Sequence, residues 1–106
     1  QQFDSNKSIE TLELGILELG PIISLLIELR DVHIANEDLA NATLTQEKII
    51  KVSDRKERAY LEAFEITGDQ QYLYLAKASI NQLPERIKNQ SRMKVLLEKI
   101  EQYLKK

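Results

Sequence analysis

Residues 58–73 read RAYLEAFEITGDQQYL, and the fold class turns on them. Ala59, Ala63 and Ile66 recur at helical spacing, with Leu61 and Phe64 beside them, and then the pattern stops at Gly68-Asp69. Glycine takes the left-handed backbone just past a helix without a Cβ penalty, and aspartate caps the next helix by accepting a backbone N–H. Helix, two-residue reversal, helix is therefore the reading of this stretch.

Working back from it, the same apolar line runs through Ile49 and Val52, so a helix is predicted over about 45–67. Thr43 and Gln46 have the spacing of a capping box at its start. The charged cluster Asp54-Arg55-Lys56-Glu57-Arg58 falls in its middle. Before it, residues 6–41 carry two stripes. One is Ile9, Leu12, Ile16, Leu19, Ile23 and Leu26; the other is Ile22, Leu25, Leu29, Val32 and Leu39. One long first helix is predicted there, capped by Asp4 or Ser5 and bent at Gly20-Pro21, since proline removes a helical hydrogen bond.

Working forward, Leu73, Ala76, Ile80, Leu83 and Ile87 mark a third helix over about 70–90, which Pro84 kinks or interrupts. Ser91 can cap a fourth, with Met93, Leu96, Leu97, Ile100, Tyr103 and Leu104 inside. Short connections make consecutive helices antiparallel. The expected fold is all-α: an up-down-up-down antiparallel four-helix bundle with a long, Pro-kinked first helix, in one domain over 1–106. Residues 6–19 would overhang this bundle by ~20 Å if the first helix continues.

Composition agrees with a folded helical domain. Of 106 residues, 42% are hydrophobic and 30% charged, with only three Gly and two Pro. A net charge of −2 gives no basic excess for nucleic acid. The absence of cysteine excludes disulfides, thiolate metal sites and thiol catalysis. No signal peptide is read in the polar residues 1–7. The most apolar stretch, 16–29, holds Glu18, Ser24 and Glu28 and falls short of a membrane span.

No phosphate-cradling glycine loop, dinucleotide fingerprint, nucleophile elbow or paired metal motif is present, so no enzyme, catalytic residue or cofactor is expected. The candidate binding site is a polar layer. Arg30 and His33 continue the first stripe where apolar residues belong. A reversal near Thr43 would set Arg30 level with Glu57 and Arg58, and His33 level with Asp54. Arg30, His33, Arg55 and Arg58 could then receive a carboxylate ligand. Alternatively, Arg30 pairs with Glu57 to set bundle register, or these charges face water. His33, the one histidine, lacks neighbours at metal-ligand spacing, and a local bond to Glu37 is the simpler role. Tyr60, Phe64, Tyr72 and Tyr74 surround the second reversal, where Phe64 and Tyr72 are expected to pack as core.

Thr67-Gly68-Asp69 followed by Tyr72-Leu73 resembles the middle of extracytoplasmic helical-bundle sensor domains of bacterial transmembrane receptors, the CHASE-type sensors and the four-helix chemoreceptor domains. The resemblance covers about a sixth of the chain. It implies a dimeric signal-relay module of a histidine kinase, chemoreceptor or cyclic-di-GMP signalling protein. Flanking membrane helices would anchor it on the periplasmic face of the inner membrane. It implies no ligand residue. Pro84 and the short fourth helix depart from the pattern. A tetratricopeptide register anchored on Pro84 fails, because Lys56 and Tyr72 fall on its small and aromatic positions. The alternative function is a stand-alone helical protein–protein interaction or adaptor domain, in the cytoplasm. A homodimer through residues 6–29 is expected, with Ile16, Leu19, Ile23, Leu26 and Ile27 at an isologous interface; the alternative is fold-back at Gly20-Pro21, since Pro21 suits the first turn of a new helix.

Overall fold

The computed structural model describes residues 5–20 and 22–105. Among them the chain is all-helical, without a strand, and divides into two compact units, Gln1–Ser53 and Asp54–Lys106. None of these helices is long and apolar enough to cross a membrane.

The first unit contains α1 (Ser5–Leu19), α2 (Ile23–Ala35) and α3 (Leu39–Val52). The predicted helix over 6–41 is thus two helices and the start of a third. A residue before proline is pushed out of the α region, and Gly20 takes φ 90 instead, ending α1 with its N–H on the Ile16 carbonyl at 2.8 Å. Ile22 is extended, and α2 starts after it. The bend is a full reversal: α1 folds back on α2, close enough that a Cβ at Gly15 would lie 3.4 Å from Leu25 Cδ1. Of the two predicted α1 caps, Asp4 lies outside the described residues and Ser5 is the first helical residue.

The next reversal is at 36–38, not near Thr43. Glu37 has φ 59; its N–H donates to the Ile34 carbonyl, and that of Asp38 to His33. These crossed bonds are the Schellman pattern, which closes the carbonyl end of α2. Asp38 then caps α3 by accepting the Asn41 N–H at 3.2 Å and the Asn41 side-chain amide at 2.7 Å. Thr43 is no cap. Its hydroxyl donates to the Leu39 carbonyl, and that of Thr45 to Asn41, both inside α3. Side chains bonded back one turn in this way leave the helix running. Leu26, Leu29, Ala42 and Ile49 form the buried apolar set of this unit.

The predicted helix over 45–67 is interrupted at 53–56. Ser53 is extended (ψ 132), and its N–H returns to the carbonyls of Ile49 and Ile50. No apolar side chain lies between Val52 and Ala59 to hold the stretch against a core.

The second unit contains α4 (Glu57–Thr67), α5 (Gln71–Asn81), the single turn α6 (Glu85–Lys88) and α7 (Ser91–Leu104). Its reversal at 67–69 is the predicted one. Gly68 has φ 74 and donates to the Phe64 carbonyl; Asp69 accepts the Gln71 N–H at 3.0 Å and donates its own to the Thr67 hydroxyl. Pro84 interrupts the third stripe and serves as the extended residue before α6. Gln90, not Ser91, is the extended residue before α7. Helix α5 packs on both α4 and α7, and Leu61, Leu73, Ala76, Ile80, Met93, Leu96 and Ile100 form the core. Phe64 meets the Tyr103 ring at 4.9 Å between centroids, so its aromatic partner comes from α7.

The two left-handed residues give opposite expectations. A side chain in this backbone region costs about 1 kcal/mol relative to glycine, partly offset by glycine's greater freedom when unfolded. Urea denaturation should therefore show Gly68→Ala less stable by ~1 kcal/mol, and Glu37→Gly more stable by roughly 0.5 kcal/mol.

Candidate functional site

In the first unit the polar layer is built across α2 and α3. Arg30 Nη1 donates to Gln46 Oε1 at 2.8 Å, while its Nε and Nη2 both lie 3.0 Å from Asp31 Oδ1. Gln46 is almost wholly buried, so the guanidinium is held on an internal acceptor and neutralised by an exposed carboxylate. One turn further, His33 is 6% exposed, and its Nδ1 is buried without a hydrogen-bond partner. The nearest acid is the cap residue Asp38, with Oδ2 at 4.0 Å, beyond hydrogen-bond reach. The Asn41 side chain and backbone N–H hold the Asp38 carboxyl below its ordinary value of 3.8, with a smaller contribution from His33.

In the second unit Glu57 is 3% exposed at the start of α4. Arg55 closes over it, with Nε at 2.9 Å and Nη2 at 2.8 Å from the same oxygen, Oε1. Nη2 also lies 3.7 Å from Met93 Sδ. A cleft of about 280 Å³ lies beside this pair, bordered by Ser79, Gln82 and Leu83 at the end of α5.

A second cleft, of about 380 Å³, runs between α4 and α7. Arg58, Leu61, Glu62 and Glu65 line one side, and Arg92, Val95, Leu96 and Lys99 the other. Each helix presents positions i, i+3, i+4 and i+7, one face over two turns. Leu61 and Leu96 are buried, whereas Val95 is 64% exposed. Glu65 ties one end shut, 3.4 Å from Lys99 Nζ and accepting the Tyr103 hydroxyl at 3.1 Å. Arg92 reaches only the Gln90 side chain, and neither it nor Arg58 forms an ion pair among the described residues.

The four expected ligand residues fall in both units. Arg30 and His33 belong to the first unit, Arg55 and Arg58 to the second, and Arg55 and Arg58 line different clefts. Arg30 bonds Gln46 within the first unit, and Arg55 bonds Glu57 within the second. Gln46 was hidden because it read as part of a capping box. Arg92 and Lys99 were legible only as a repeat of charge along α7. The expected dimer residues also divide. Leu26 is wholly buried within its own unit, Ile16 and Ile27 are half-buried, and Leu19 and Ile23 are exposed.

Two measurements check this geometry. Arg55→Met uncovers a buried carboxylate, so it should cost about 2 kcal/mol in urea denaturation, while Arg58→Met costs little. The lowered Asp38 carboxyl favours the folded state above 3.8, and this contribution is lost as pH falls through the folded-state value. Carboxyl NMR titration should place Asp38 below 3.8, and Asn41→Ala should move it back upward.

No protein-family model, curated protein or solved structure matches this chain.

Proposed function

We propose that this chain is an extracytoplasmic sensing and signal-relay domain of a bacterial membrane receptor, of the histidine kinase, chemoreceptor or cyclic-di-GMP class. The observation that carries the reading is the Thr67-Gly68-Asp69 reversal. The residues that resemble the sensor domains are those that make the turn: Gly68 supplies the left-handed backbone, and Thr67 and Asp69 bond the adjoining N–H groups. Leu73, the last of the resembling residues, is wholly buried in the core that the turn brings together. A four-helix-bundle architecture, a homodimer, membrane anchorage through flanking segments and a small-molecule ligand belong to the same reading. It needs no catalytic group and no cofactor.

A second reading, a helical interaction domain working in the cytoplasm, is favoured by the exposed leucines of α1: Leu14 is 54% and Leu17 82% exposed. One experiment separates the two. Alkaline phosphatase and β-galactosidase are fused in turn after Lys105 of the natural gene product and expressed in bacteria. The sensor reading expects an active phosphatase and an inactive galactosidase. The opposite pattern overturns it and leaves the interaction domain.

A further inference from the structure

The two units carry opposite charge. Residues 1–53 have four Lys/Arg against nine Asp/Glu, a net −5; residues 54–106 have eleven against eight, a net +3. Three of these nine acids, Glu10, Glu13 and Glu18, lie on α1. Glu10, Glu13, Leu14, Leu17 and Glu18 follow i, i+3, i+4, i+7 and i+8, and so share one face. All five are exposed, and residues 8–20 contain no lysine or arginine. Gly15, on the other side of the helix, is the residue packed on α2. This face therefore has no cover from its own helical neighbour.

The α4–α7 cleft is its counterpart in size, with three cations, Arg58, Arg92 and Lys99, against the two acids Glu62 and Glu65 in its lining. The lining from Arg58 to Glu65 spans seven residues and the α1 face eight, or ~11 Å and ~12 Å of helix. The cleft has an apolar middle of Leu61, Val95 and Leu96. At its open end stand Arg58 and Arg92, neither neutralised by an acid. The α1 face has two leucines in the middle and three glutamates beside them.

We infer that the α1 face of one copy of this chain docks into the α4–α7 cleft of a second copy, with Leu14 and Leu17 over Leu61 and Leu96, and the α1 glutamates against Arg58 and Arg92. Different surfaces meet in each contact, and when two copies exchange α1 faces about a two-fold axis the two equivalent contacts close an isologous dimer. It replaces the interface expected from the sequence, in which residues 6–29 meet their own copy and whose Leu26 is spent inside its own unit. The inference is independent of the sensing reading, and its test on purified chain in solution can fail or succeed apart from the topology fusions.

The test is sedimentation velocity across a concentration series. Wild type should associate, and association should weaken as salt rises from about 0.1 M to about 1 M, where the screening length falls from ~10 Å to ~3 Å. Glu13→Lys with Glu18→Lys, and separately Arg58→Glu with Arg92→Glu, should each weaken self-association at least roughly tenfold. An equimolar mixture of the two double variants should associate again, because each presents the surface that the other lacks. Leu17→Ser should weaken association without loss of helix, which circular dichroism checks, and it carries the test if a charge reversal fails to fold. A wild type that stays monomeric to high micromolar concentration, reversals that leave self-association unchanged, or a mixture that remains monomeric would each overturn the inference.

Discussion

Six of the seven helices among the described residues have only 11 to 15 residues, a length at which an isolated helix is marginal in water. Such helices persist by turning back onto a neighbour, and a reversal this tight leaves several N–H and C=O groups without helical partners. The structure meets this demand at three reversals with side chains or left-handed backbone, at Gly20, at Glu37 with Asp38, and at Gly68 between Thr67 and Asp69, while the return from α5 to α7 runs through α6 with Pro84 and Gln90 extended. The cores follow from these reversals. Leu26 meets its surroundings in the first unit because α1 and α3 both return to α2. Leu73, Ala76 and Ile80 are covered in the second because α4 and α7 both return to α5.

How far the sequence could be read follows the chemistry of these turns. Gly68-Asp69 was legible because glycine advertises the left-handed region and aspartate the cap. Glu37 was not, because nothing in a glutamate signals that its neighbours will force φ to 59. Thr43 and Thr45 then offered a false turn, since the hydroxyl that caps a helix in one context bonds back within it in another. The break at 53–56 has no glycine or proline to mark it. Periodicity still located most of the core: Leu73, Ala76, Ile80, Met93, Leu96 and Ile100 were all on the predicted stripes and are all buried.

The polar layer shows how one misplaced turn propagates. Arg30 was recognised as a charged residue on an apolar stripe, and it is indeed drawn inward. Its partner depends on register, however. With the reversal near Thr43 the residue opposite Arg30 is Glu57; with the reversal at Glu37 it is close to Thr45 and Gln46, and Gln46 is the observed acceptor. The same reversal sets His33 beside Asp38 within the first unit. The residue types were readable from spacing, whereas their pairing was not, because pairing compounds every error in turn position.

The interruption at 53–56 also bears on how the chain opens. An unbroken helix over 45–67 would have made one hydrogen-bonded ladder common to both units, so that fraying at one end could spread along it. Here the ladder of α3 ends with Ser53 bonded back to Ile49, and that of α4 begins with Tyr60 bonded to Lys56. Each ladder stays within its own unit. Cooperative opening follows contiguous contacts of this kind. The hydrogen-bonded ladder is therefore broken at 53–56, and hydrogen exchange can run at different rates on the two sides of Ser53.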